Sequence, residues 1–185
     1  MTTSARKPPE KPSDEADRHQ IAMAKKEGAA YHASLKYMAE EVADSGGMKR
    51  AGDYIVAYAQ ERAEGMYMLK GEGELEWDAP TDENCHLEIS VSDAGDQRFI
   101  PYLEITATLT PANGKAVGPF KVPFVWHPGL YHYGTNIKVP GDGDYKLDVT
   151  IKPPTFMRHD EVNGKRYANT VDVTFEKVAI KTGQE

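Results

Sequence analysis

Three short stretches of the chain concentrate side chains that bind metals. In Cys85-His86-Leu87-Glu88-Ile89-Ser90-Val91, strand alternation sends Cys85, Leu87, Ile89 and Val91 to one face and leaves His86 and Glu88 together on the other. An imidazole and a carboxylate at i and i+2 can both reach one divalent cation. The second stretch, Trp126 to Gly134, holds His127 and His132 among Tyr131, Tyr133, Pro128 and Gly129. The third, Phe156-Met157-Arg158-His159-Asp160, follows Pro153-Pro154 and puts a thioether and an imidazole on a loop, a donor pair suited to copper. A structural or surface role is the ordinary explanation of any one histidine. Three such clusters in one chain shift the reading toward a metal.

Other chemistries find no support. The chain lacks a phosphate-binding glycine loop, a G-x-S-x-G elbow, a paired-cysteine zinc motif and an EF-hand loop. Cys85 alternates with Leu87 and reads as a small core hydrophobe, and as a single cysteine it excludes an internal disulfide. A formal charge of -7 without a basic stripe argues against nucleic acid and favours cationic ligands. His19 and His32 are read as solvent-exposed, and Tyr67, Trp77 and Tyr102 as packing residues.

The elements that must position these clusters are mostly strands. Leu103, Ile105, Ala107 and Leu109 alternate with polar neighbours, as do Leu147, Val149 and Ile151, and Val171, Val173 and Phe175. Turn signals at 93–96, 111–114, 141–144 and 162–164 separate them. Strands are expected near 53–59, 64–70, 84–92, 100–109, 120–126, 131–138, 144–152 and 168–179. Short strands with frequent turns indicate an antiparallel β-sandwich. Ahead of them Ile21, Tyr31, Leu35, Met38 and Val42 recur at helical period, with Asp14 as N-cap and Asp44-Ser45-Gly46-Gly47 as a stop. The division expected is a disordered tail over 1–13, a helix and linker over 14–51 and a metal-binding sandwich over 52–185.

From about Gly52 to Ile180 the order of motifs resembles the periplasmic high-affinity iron transport protein family. The likeness rests on Asn84-Cys85-His86-Leu87-Glu88, Ile100-Pro101-Tyr102-Leu103, His132-Tyr133-Gly134-Thr135-Asn136-Ile137 and Met157-Arg158-His159. It implies an immunoglobulin-like sandwich, mainly β with an N-terminal helical extension, that forms a homodimer and binds copper in iron uptake beside a membrane iron permease. His86, His132 and His159 match the family's copper-binding histidines, and Glu88 matches a carboxylate near that site. The family's methionine ligand falls where this chain reads Val122-Pro123-Phe124-Val125, with Phe124 in its place. Without that thioether the site should favour a more oxidised or borderline ion, unless His127, Met157, Met66 or Met68 substitutes, and His127 is preferred as close in sequence to both Phe124 and His132.

The expected function is therefore metal capture, not catalysis, with copper as the ion and iron or zinc as alternatives. A metal-free immunoglobulin-like interaction module is the rival, and a copper redox enzyme ranks behind both. The resemblance implies an extracytoplasmic location. The first twenty residues read as carrying no secretory signal, which leaves the cytoplasm open.

Overall fold

The computed structural model describes residues 10–185. In chain order the elements are α1 (Arg18–Tyr37), a π-helical turn (Met38–Val42), β1 (Ser45–Ala51), β2 (Tyr54–Glu61), β3 (Met66–Gly71), β4 (Glu74–Asp78), β5 (Cys85–Asp93), β6 (Ile105–Pro111), β7 (Val117–Lys121), β8 (Phe124–Val125), β9 (His132–Ile137), β10 (Gly143–Ile151) and β11 (Val171–Ile180).

Alternation builds two antiparallel sheets that share one core. The five-stranded sheet runs β1-β2-β5-β9-β8 and the four-stranded sheet β11-β10-β6-β7, with β3 and β4 as a separate ribbon. Tyr54, Val56, Leu87, Ile89 and Val91 from the first meet Ile105, Leu109, Leu147, Val149 and Phe175 from the second, and Cys85 lies among them. Burial pushes the Cys85 thiol up to about 12, so it stays protonated. The chain is a β-sandwich with one N-terminal helix. Among the described residues no helix is long and apolar enough to cross a membrane.

Where the elements differ from expectation, local chemistry explains it. The segment expected at 120–126 splits because Pro123 has no N–H to continue a ladder. Val122 still bonds Ile105 of the four-stranded sheet, while the Pro123 carbonyl accepts the Gly134 N–H of the five-stranded one, so the chain changes sheets there. Residues 45–51, expected as linker, are edge strand β1, paired with β2 from Ser45↔Gln60 to Ala51↔Tyr54. Its Gly46-Gly47 start and Lys49-Arg50 middle show no apolar alternation because most of the strand is not buried. β4 was not anticipated, and β6 starts at Ile105 because Leu103 is tied to the Tyr133 hydroxyl and Tyr102 has φ 64.

The helix begins at Asp17, not Asp14. Asp17 accepts the Gln20 N–H at 2.8 Å and Gln20 returns the bond to the Asp17 N–H, which forms a capping box. Gly28 lets α1 lie on the 93–98 loop, where a Cβ would stand 1.8 Å from the Asp96 carbonyl oxygen. Leu35 and Met38 then pack on Ala57 and Leu130, on the outer face of the five-stranded sheet. Residues 1–9 of the expected disordered tail lie outside the described residues. Lys11 exchanges hydrogen bonds with Asn163, and Ser13 donates to Asp160 at 2.7 Å.

Candidate metal centre

The outer face of β5 carries His86, Glu88 and Ser90. Register sets Glu61 and Ala59 of β2 against His86 and Glu88 on one side, and Asn136 and Gly134 of β9 on the other. Ala59 and Gly134 leave a hollow over Glu88. A Cβ at Gly134 would lie 3.0 Å from His86 Nε2 and 3.4 Å from His132 Cδ2, so an alanine there would intrude on both rings. Val125 of β8 pairs with His132, whereas Phe124 pairs with Tyr133 and meets its ring edge-on at 5.9 Å.

Three side chains converge in the hollow. His132 Nε2 stands 3.1 Å and His86 Nε2 3.8 Å from Glu88 Oε1. All three residues are buried, with His86 fully enclosed and Glu88 at 5% exposure. His86 donates from Nδ1 to Asn136 Oδ1 at 2.9 Å, which leaves the lone pair on Nε2. Asn136 is itself clamped by Glu64, whose N–H it accepts and whose carbonyl it bonds through Nδ2. No hydrogen-bond partner meets His86 Nε2 or either ring nitrogen of His132. Buried polar atoms are ordinarily paired, so two orphaned Nε2 atoms facing one carboxylate point to an electrophile.

Electrostatics keep the two imidazoles in the state a cation needs and leave Glu88 to give up a proton when the cation arrives. Burial, reinforced by His86 and His127, pushes His132 down to about 4, and burial also lowers His86. Both imidazoles are neutral at pH 7, with lone pairs available. Burial, with Glu61 and Glu64 adding negative charge, pushes Glu88 up to about 8, so without a cation its carboxyl is mostly protonated at neutral pH. The donor set of two neutral imidazoles and one carboxylate fits a first-row transition metal.

The other expected ligands stand differently. His127 lies beside the cluster, 5.9 Å from His132 between ring centroids, and its Nδ1 accepts the Gly129 N–H. His159 lies outside the cluster, with its side chain 91% exposed and paired with Glu15 at 2.9 Å. Met157 is 97% exposed, and Met66 and Met68 sit on the β3–β4 ribbon. Phe124 is turned away from His132, so Val125 is the β8 residue on the site's face, and an alkyl chain offers no donor. His32, expected to be exposed, is half-buried with Nδ1 enclosed.

Two carboxylates escaped sequence reading. Glu61 ends β2 opposite His86, and Glu64 follows it with Oε1 3.5 Å from His86 Nε2. Glu61 could have been found by continuing the outward set Ala57, Ala59, Glu61 along β2. Glu64 lies beyond the strand, where periodicity says nothing. Above the face, the Tyr31 hydroxyl of α1 donates to the Tyr131 carbonyl at 2.6 Å and meets Ser90 Oγ at 2.8 Å. The helix thereby holds the loop that leads into His132.

Comparison with known proteins bears on the family and the fold. The family model described as Fe2+ transport protein matches residues 37–179. UPF0423 proteins of Brucella abortus and Brucella suis are 35% identical over 86 residues, 42% of this chain and 47% of theirs. The chain thus matches about half the length of these curated relatives. Among solved structures, FetP of uropathogenic Escherichia coli strain F11 is 23% identical, with TM-score 0.58, over 72% of this chain and 93% of that one. Copper-reconstituted P19 of Campylobacter jejuni is 19% identical, with TM-score 0.61, over 75% and 96%. These two likenesses bear on the fold. α1 lies almost wholly before the matched span, which takes in the sandwich, His86, Glu88 and His132, and the chain belongs to the Fe2+ transport protein family.

Proposed function

We propose that this protein captures a transition-metal ion, copper as Cu(II), through His86, His132 and Glu88, and that it does so in service of iron uptake. The observation that carries the reading is the pair of buried imidazoles whose unpartnered nitrogens share the Glu88 carboxylate. Copper is the first choice because imidazole donors suit it and it heads the affinity order, with iron and zinc as the alternatives. The β8 residue paired with His132 is Val125, which brings no thioether, and this favours Cu(II) over Cu(I). The family description supports iron uptake, and the related P19 structure was solved with copper.

Two histidines and a carboxylate leave room for further donors. His127 joins if its Nδ1 gives up the Gly129 N–H or its tautomer changes. His159, exposed and outside the cluster, joins from a second copy of the chain in a homodimer. The work of such a protein is delivery to a membrane iron permease from outside the cytoplasmic membrane, and no turnover is required of it.

Calorimetric titration of metal-free protein with Cu(II), in parallel with His132→Ala, tests this reading. Tight equimolar binding that the variant loses supports it. Weak binding indifferent to His132 would make the histidines bystanders and favour a metal-free interaction module.

A further inference from the structure

His159 stands in solvent on a loop that is nevertheless tied down. Within the loop, Arg158 donates to the carbonyls of Phe156 at 2.7 Å, Pro154 at 3.2 Å and Tyr167 at 3.3 Å. Asp160 accepts the N–H groups of Val162 and Asn163 at 2.7 and 2.8 Å. From outside, the loop is held by the segment that leads into α1. Lys11 and Asn163 exchange two hydrogen bonds, Ser13 donates to Asp160 at 2.7 Å, and Glu10 pairs with Arg166 at 3.6 Å. The Ser13 hydroxyl also accepts the Ala16 N–H, one residue before the capping box at Asp17, so this strap runs directly into the helix. From the same strap Glu15 reaches His159, with Oε2 2.9 Å from Nδ1. Surface loops are ordinarily among the more mobile parts of a fold. This one is fastened to the helix that covers the metal face.

We infer that Glu15 is a positioning residue for His159, readying its imidazole to donate to the metal ion captured by a second copy of the chain. The inference rests on the capture reading, in which His159 joins from a homodimer, and supplies how a solvent-exposed ring is prepared for that role. A carboxylate beside Nδ1 favours the tautomer that carries its proton there and leaves the lone pair on Nε2. Asn136 does the same for His86 inside the hollow. The strap adds order: a loop already held through Glu10, Lys11 and Ser13 has less freedom to lose when its histidine meets a metal. The match to the family model begins at residue 37, so Glu15 and the rest of the strap lie outside it.

The test loads the full chain with one Cu(II) and uses pulsed electron paramagnetic resonance, in which the remote nitrogen of each bound imidazole reports both the number of rings and the hydrogen bonding of that nitrogen. Wild type is compared with His159→Ala, Glu15→Leu and Glu15→Gln, and Cu(II) affinity is measured on each by calorimetry. His159→Ala should lose one imidazole from the spectrum. Glu15→Leu should keep the ring count at saturating copper but change the signal of one remote nitrogen. Its affinity should fall about three- to tenfold, less than the 10–100-fold typical of outer-sphere partners, because water screens the pair. Glu15→Gln, which keeps an acceptor beside Nδ1, should stay closer to wild type than Glu15→Leu in both readouts. Should Glu15→Leu disturb the fold by circular dichroism, Ser13→Ala, which frees the strap from Asp160, carries the test with a smaller loss in the same direction. Wild-type affinity and an unaltered remote nitrogen in Glu15→Leu would overturn the positioning role, and so would tighter copper binding, which would make the pair a restraint. An unchanged ring count in His159→Ala would also overturn it while leaving capture by His86, His132 and Glu88 intact. Absence of tight copper binding in wild type would instead sink the capture reading and the positioning role with it.

Discussion

The outer faces of the two sheets have the same kind of sequence and opposite fates. On the four-stranded sheet, polar residues between Leu147, Val149 and Ile151 find partners across the strands. Thr174 donates to Asp148 and Thr150 to Asp172, each at 2.6 Å, and Lys146 pairs with Asp148 at 2.7 Å. On the five-stranded sheet, the residues between Leu87, Ile89 and Val91 are buried, and the nitrogens of His86 and His132 that face the hollow have no hydrogen-bond partner. Alternation alone makes a half-wet sheet in both cases. What separates them is cover: α1 and the 126–131 loop close over one face, and water reaches the other. A face that is covered while its polar groups stay unpaired costs stability, which makes sense where a ligand supplies the missing partner.

Replacing a histidine of the covered face should break the contrast most strongly. His86→Ala is expected to weaken Cu(II) binding by roughly a hundredfold or more, beyond the 10–100-fold typical of outer-sphere partners. The metal-free protein should lose only about 1–3 kcal/mol, from the Nδ1 bond to Asn136 and the cavity left by the ring, because the deleted Nε2 has no hydrogen bond to lose. A steep fall in metal-free stability with unchanged copper affinity would mean that His86 is a packing residue.

Asn136→Ala comes next. Its side chain fixes the His86 tautomer and pins Glu64, so its removal should cost about 10–100-fold in Cu(II) affinity without touching a ligand. A change under threefold in the same calorimetry would show that His86 orients itself.

The pH dependence of stability follows from the same burial. Glu88 titrates near 4.5 in the unfolded chain and about 8 in the folded one, so between those values the folded state holds a proton the unfolded state lacks, and stability falls as pH rises. His132 titrates near 6.5 unfolded and about 4 folded, so its contribution rises with pH across that interval. The two oppose each other from 4.5 to 6.5, and above 6.5 Glu88 acts without that offset. Metal-free protein should lose about 1 kcal/mol between pH 6.5 and 8, read from urea midpoints, and Glu88→Gln should flatten that slope. With Cu(II) bound the ionised carboxylate faces a cation, and the fall should disappear. A slope that persists in Glu88→Gln would assign it to another group.

The sandwich and the pairing of His86 with Glu88 were legible because period two decides which side chains share a face. The bulge in β11 is also visible in the sequence. Val173 and Phe175 are followed by Val178 and Ile180, one residue out of phase, and Lys177 takes φ 57 to absorb the extra residue opposite β10. Less local features were hidden. Pro123 marks a strand end but not the change of sheet, and the resemblance that sets Phe124 in the place of a methionine does not encode that Val125 is the residue paired with His132. The Glu64–Asn136 clamp joins residues far apart in sequence, and no periodicity encodes it.

The smallest expected effect lies on the open face and sharpens the comparison by contrast. Thr174→Val removes a hydroxyl that donates to Asp148, but Lys146 remains against that carboxylate and water reaches what is freed. The cost should stay at about 0.5–1 kcal/mol in urea denaturation, with copper binding unaltered. The covered face should respond the other way to a change of similar size: Gly134→Ala adds one methyl where a Cβ meets His86 Nε2 at 3.0 Å, and copper affinity should fall with it. If the threonine variant loses as much stability as a core truncation, the open face is not the solvent-satisfied surface its hydrogen bonds describe, and cover alone would no longer explain why the two sheets differ.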